Sequence, residues 1–97
     1  MNIGIVVPTY NEVVNIVLLL KALKKQSLKI TGVSFLVAVV DDNSPDGTSK
    51  IAKKLGKELS GPRFKVVVID RTKKDGYGKA CVEGMNYLLS KKVDLVL

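Results

Sequence analysis

Phe35-Leu36-Val37-Ala38-Val39-Val40, followed without a break by Asp41-Asp42-Asn43-Ser44-Pro45-Asp46-Gly47-Thr48, is the stretch on which the fold turns. Its first part is uninterruptedly apolar and largely β-branched. Such a run reads as a strand covered on both faces in a parallel sheet, because a half-exposed strand would alternate apolar with polar residues. The polar part reads as a loop entering a helix, with Ser44 as cap, Pro45 at the first helical position and Asp46 beside the positive end of the helix dipole. The helix then runs through Ile51, Ala52 and Leu55 to about Leu59 and stops near Gly61-Pro62.

The same alternation extends in both directions. Ile3 to Pro8 is a second buried-strand pattern, and residues from about Glu12 to Gln26 form a helix carrying Leu18, Leu19, Leu20 and Leu23, with lysines at its far end. Phe64 to Ile69 reads as a strand, Gly78 to about Ser90 as a helix, and Val93 to Leu97 as a strand again. Strands alternating with helices at this spacing predict right-handed βαβ units and a parallel sheet flanked by helices, an α/β fold. The chain stops on a bare apolar strand pattern, whereas termini usually lie at the surface. The expectation is therefore one domain, residues 1–97, truncated after its fourth strand.

Composition narrows the partners. The chain has 97 residues, 16 Lys and Arg against 9 Asp and Glu, and a formal charge of +7. That excess suits a solvated basic surface as well as it suits an anionic ligand or an acidic lipid surface. No aromatic–basic interleaving of the kind that stacks bases occurs, which argues against nucleic acid. Cys81 is the single cysteine and reads as a small residue inside a helix; no histidine is present for catalysis or metal ligation. No basic segment precedes the first apolar run, and no apolar run approaches the ~20 residues of a membrane span, so any anchor is expected outside this sequence.

In open parallel sheets ligands bind beyond the carboxyl ends of the strands, which singles out three loops. The first, Pro8-Thr9-Tyr10-Asn11-Glu12, offers an aromatic face at Tyr10 suited to covering a nucleobase or ribose. Glu12 suits either a ribose hydroxyl or base edge, or a helix N-terminus. The second begins with two adjacent carboxylates that alternation points to different sides. Asp41 is expected to accept hydrogen bonds from a base or sugar, with Asp42, Asn43 and Asp46 doing loop and cap work. The third runs from Asp70-Arg71 to Gly78-Lys79. Its Gly76-Tyr77-Gly78-Lys79 is not a Walker loop, because Lys73 stands where that pattern needs glycine and Ala80 where it needs Ser or Thr; Cys81 likewise breaks the dinucleotide fingerprint. The glycines are expected to shape a tight turn, and Arg71, Lys74 and Lys79 read first as solvated charges, with a diphosphate as their alternative partner.

Taken together, Pro8-Thr9-Tyr10-Asn11-Glu12, Val39 to Thr48, and Arg71 followed by Gly76-Tyr77-Gly78-Lys79-Ala80 resemble the amino-terminal half of dolichol-phosphate mannose synthases, within the family 2 glycosyltransferases. The resemblance covers nearly the whole chain in the right order; the Ser-Pro-Asp-Gly-Thr extension and the Gly-x-Gly-x-Ala helix entry narrow it beyond the wider family. It implies a GT-A, Rossmann-like domain that binds GDP-mannose. Pro8, Tyr10 and Glu12 would line the guanosine pocket, and Val39 and Asp41 would contact base or ribose. It further implies a divalent cation, Mg or Mn, whose ligands lie beyond Leu97, leaving no metal site and no identified catalytic residue in this stretch. The implied reaction transfers mannose to dolichyl (polyprenyl) phosphate with inversion, at the cytoplasmic face of a membrane. The alternatives are a family 2 enzyme using UDP-glucose or another nucleotide sugar, and a non-catalytic nucleotide-binding module.

Overall fold

The computed structural model describes residues 1–72 and 76–97. Among them the elements are β1 (Asn2–Thr9), α1 (Val13–Ser27), β2 (Ser34–Asp41), α2 (Thr48–Leu59), β3 (Phe64–Asp70), α3 (Tyr77–Ser90) and β4 (Leu95–Val96). The strands form one sheet in the order β3-β2-β1-β4, and every pairing is parallel. This is the α/β fold expected from the sequence, and it is consistent with a GT-A, Rossmann-like arrangement. The chain steps outward from β1 to β2 to β3, then crosses back to the far side of β1. Right-handed crossovers in opposite directions must pass over opposite faces of the sheet.

The packing follows that rule. On one face Val7, Val37 and Val39 join Ile16 and Leu20 of α1, Ala52 and Leu55 of α2, and Phe64 in one buried cluster. On the other face α3 approaches the sheet so closely that side-chain size is limiting. A Cβ on Gly84 would lie 2.7 Å from Val6 Cγ1 and 2.9 Å from Val40 Cγ2, and a Cβ on Gly4 would lie 2.8 Å from Leu88 Cδ1. Val37 to Val40 are each 0% exposed, as a strand covered on both faces requires. In α1 the sheet takes Ile16 and Leu20, leaving Leu18 and Leu19 exposed, while Lys24 and Lys25 occupy the last turn as anticipated.

Two boundaries differ from the sequence reading. The second helix begins at Thr48 behind Gly47, whose φ is 87°, so Ser44 is not its cap and Pro45 is not its first residue. The reason is competition for Ser44: its hydroxyl donates to Asp41 Oδ1 at 2.7 Å and accepts the Asn11 N–H at 2.9 Å. Asp46 keeps the expected place at the helix entry, with Oδ1 accepting the Thr48 N–H at 3.0 Å. The last strand is shorter than Val93–Leu97, but its ladder continues through Asp94 N–H to Asn2 at 2.7 Å and Leu97 N–H to Gly4 at 2.8 Å.

Candidate functional site

Strand register brings the three loops to one rim. Thr9 stands opposite Asp41, and Asp41 opposite Asp70, so β1, β2 and β3 end level with one another. Thr9 Oγ1 donates to Asp41 Oδ1 at 2.7 Å, and the Ser44 N–H donates to Asp41 Oδ2 at 2.9 Å. With the Ser44 hydroxyl also bound, the Asp41 carboxylate is 2% exposed and devoted chiefly to holding the β2 loop against β1.

The β2 loop in turn starts α1. Successive backbone N–H groups of Asn11, Glu12 and Val13 donate to Ser44 Oγ (2.9 Å), Thr48 Oγ1 (3.0 Å) and Asp46 Oδ2 (3.3 Å). The first N–H groups of a helix have no partner inside it. Here the neighbouring loop supplies partners that the residues just before α1 do not.

Asp42 has a different set of partners. Its Oδ1 accepts from Arg71 Nη1 at 2.8 Å and its Oδ2 from the Gly76 N–H at 3.0 Å. The Asp42 side chain is 1% exposed and that of Arg71 11%, and Arg71 Nε also donates to Glu83 Oε1 at 3.2 Å. Arg71 is therefore no solvated charge, contrary to the sequence reading. Burying charge is costly unless each group is paired and hydrogen-bonded, and this pair meets both conditions. Its consequence is mechanical: Asp42 ties the end of β2 to the entry of α3, where Gly76 takes a φ of 97°.

These ties leave a cleft of about 240 Å³ lined by Tyr10, Asp42, Gly76 and Tyr77. Glu12 reaches it through Tyr77, whose hydroxyl donates to Glu12 Oε1 at 3.3 Å; Glu12 Oε2 accepts from Asn15 Nδ2 at 3.0 Å. Burial, followed by the nearby Glu12 carboxylate, pushes the Tyr77 phenol above its ordinary value. It stays protonated, and so remains a donor, throughout the neutral range. The cleft thus has two tyrosines, Tyr10 and Tyr77, and the buried, already bonded Asp42 carboxylate in its lining.

A family pattern agrees with this geometry. The description Glycosyl transferase family 2 matches residues 4–93, a stretch containing every residue of the rim. The chain belongs to glycosyl transferase family 2. Its general chemistry is therefore glycosyl transfer from a nucleotide-activated sugar. Of the residues expected to bind that nucleotide, the family 2 fold places Tyr10 in the cleft wall and Glu12 beside it. Pro8 is half-buried at the end of β1. Val39 is 0% exposed within the core, and neither its side chain nor that of Asp41 lines the cleft. Asp42, Gly76 and Tyr77 line it without having been singled out as binding residues. The available signal was a glycine immediately before a helix, which marks a backbone turn that other side chains can approach. Lys73 and Lys74 lie outside the described residues, and Lys79 is exposed.

Among the described residues no three His, Cys, Asp or Glu side chains gather into a metal-holding group. The divalent cation implied by the resemblance has no ligand set there. No described helix is long and apolar enough to cross a membrane.

Proposed function

We propose that this family 2 glycosyltransferase uses GDP-mannose as donor and a polyprenyl phosphate such as dolichyl phosphate as acceptor. The observation that carries the reading is the cleft of Tyr10, Asp42, Gly76 and Tyr77 at the carboxyl ends of β1 and β2, with Glu12 at its edge. In the proposed complex the Tyr10 ring covers the guanine, and Glu12 accepts from a ribose hydroxyl or a base N–H. Asp41 contributes by fixing Thr9 and Ser44, which set the shape of the first two loops. What supports the mannose donor is motif order, since the Ser44-Pro45-Asp46-Gly47-Thr48 and Gly76-Tyr77-Gly78-Lys79-Ala80 segments resemble those of dolichol-phosphate mannose synthases.

In this reaction an oxygen of the acceptor phosphate attacks the anomeric carbon of mannose, the bond from that carbon to the GDP oxygen breaks, and GDP departs with inversion. The attacking oxygen is already anionic at neutral pH, so the step does not need a general base and the lack of histidine is no obstacle. Rate enhancement then rests on arrangement and electrostatics. A lipid acceptor puts the reaction at a membrane surface, on the cytoplasmic face where the nucleotide sugar is supplied. The charge of +7 favours an anionic lipid surface there. Titration calorimetry on the protein tests the donor: GDP should bind more tightly than UDP. Equal affinities, or a preference for UDP, would overturn the mannose reading in favour of another nucleotide sugar.

A further inference from the structure

Tyr77 opens α3, and the buried residues of that helix, Ala80, Gly84 and Leu88, follow it at steps of three, four and four residues. Residues so spaced share one face of a helix. Tyr77 therefore continues the stripe by which α3 lies on β1 and β2. Gly84 marks where that stripe presses on Val6 and Val40. At Tyr77, one turn before Ala80, the stripe reaches the cleft. The Tyr77 ring remains 49% exposed while lining the cleft together with Tyr10. Its position is set from two sides, by the close packing of α3 on the sheet and by the Asp42 bond to the Gly76 N–H.

We infer that Tyr77 is a second aromatic wall of the nucleoside site and a positioning residue for Glu12, favouring a purine base over a pyrimidine. The ring offers the base a stacking surface from α3, opposite in origin to that of Tyr10 from the β1 loop. The hydroxyl holds Glu12 Oε1 by a bond spanning 65 positions of the chain. A purine presents more ring area to such a wall than a pyrimidine does, so the gain is larger for GDP than for UDP. The aromatic wall rests on the proposed nucleotide reading but not on which nucleotide it is, whereas the purine preference rests on both.

The test is calorimetric titration of the native protein, Tyr77→Phe and Tyr77→Ala with GDP and with UDP, each variant checked for folding by thermal melting. Tyr77→Ala should weaken GDP binding ~5- to 100-fold, the range for loss of a base-stacking ring, and should shrink the GDP-to-UDP affinity ratio. Tyr77→Phe should keep that ratio and lose only about 3-fold in affinity, the small net effect of one partly exposed hydrogen bond. Tyr77→Phe should also be non-additive with Glu12→Gln. If Tyr77 merely anchors α3, Tyr77→Ala lowers the melting temperature but leaves the affinity ratio unchanged, which overturns the inference while the GDP reading stands. If the native protein prefers UDP, the donor reading and the purine preference fall together. The aromatic wall is then judged by whether Tyr77→Ala weakens UDP binding. Absence of binding to either nucleotide overturns both proposals.

Discussion

The rim at the strand ends and the outer edge of the sheet make an instructive pair. Along β3 and α2 runs a hollow of about 680 Å³ lined by Lys53, Lys54, Lys57, Ser60, Val66 and Val68. The rim cleft, at about 240 Å³, is much smaller. Yet the edge hollow has an apolar floor and a border of lysines, with one exposed ion pair, Lys53 to Asp70, among its described polar contacts. Lysines flanking an edge strand discourage pairing with other chains, which is a sufficient role for them. The rim has two carboxylates nearly removed from water, each bonded to groups far away in the chain. The two hollows thus differ less in volume than in how firmly the fold holds the polar atoms around them.

The contrast can be broken most forcefully at Asp42. Replacing it by Ala removes the buried acceptor of Arg71 Nη1 and of the Gly76 N–H, so urea unfolding should show a loss of about 3–4 kcal/mol. A loss below about 1 kcal/mol would mean the rim is no more organised than the edge. Asp41→Ala should cost about 2 kcal/mol, because the Thr9 and Ser44 hydroxyls lose a charged acceptor. It should also weaken nucleotide binding, by ~1–3 kcal/mol if the proposed site is correct. Unchanged affinity in the folded variant would remove Asp41 from the site altogether.

Gly84→Ala tests the packing that positions α3. The added methyl meets Val6 Cγ1 at 2.7 Å, an overpacking cost of roughly 1–3 kcal/mol, while Ala in a helix interior returns about 1 kcal/mol over Gly. The net should be a destabilisation near 1 kcal/mol. A stabilised variant would show that α3 can ride up freely. The smallest effect belongs to the edge. Lys53→Ala should change stability by less than about 1 kcal/mol, since both partners of its ion pair are about half exposed.

Lys53 also gives the edge a pH signature. The hydrogen bond from Lys53, then that from Ser49, holds the Asp70 carboxyl below its ordinary value. A depressed carboxyl stabilises the fold above its unfolded pKa and loses that contribution as pH falls through the lower, folded one. Asp46 is shifted in the same direction, chiefly by the Thr48 hydroxyl. Acid titration of stability should therefore decline below the ordinary carboxylate range, and Lys53→Ala should flatten part of that decline. An identical acid profile in the variant would show that the pair does not couple to folding.

Much of this architecture could be read from the chain, and the misreadings share one cause. Ser44 had the residue type, the following proline and the spacing of a helix cap, but Asp41 and the Asn11 N–H claimed its hydroxyl first. Arg71 sat among lysines in a polar loop and so read as solvated, although its guanidinium is buried against Asp42. Adjacent Asp41 and Asp42 were expected to divide between ligand and loop. The fold bonds Asp41 to Thr9 and Ser44 and puts Asp42 in the cleft lining, and the nucleotide role expected of Asp41 is what its Ala variant tests. Asp41 lies only three positions from Ser44, but the Asn11 N–H on Ser44 and the Arg71 and Gly76 partners of Asp42 lie roughly thirty positions away.

Periodicity and loop chemistry in the sequence alone determined the strand–helix alternation, the parallel sheet, the gathering of three polar loops at one rim and the membership of family 2. These depend on interactions among near neighbours and on the rule that apolar runs must be covered. Only the tertiary structure decided which carboxylate lines the cleft, how the β2 loop caps α1, and that Tyr77 joins Tyr10 in the cleft lining. Those outcomes follow from the register of β1 against β2 and from the depth to which Gly4 and Gly84 let α3 settle. Register and depth are properties of packed elements, and no local run of residues specifies them.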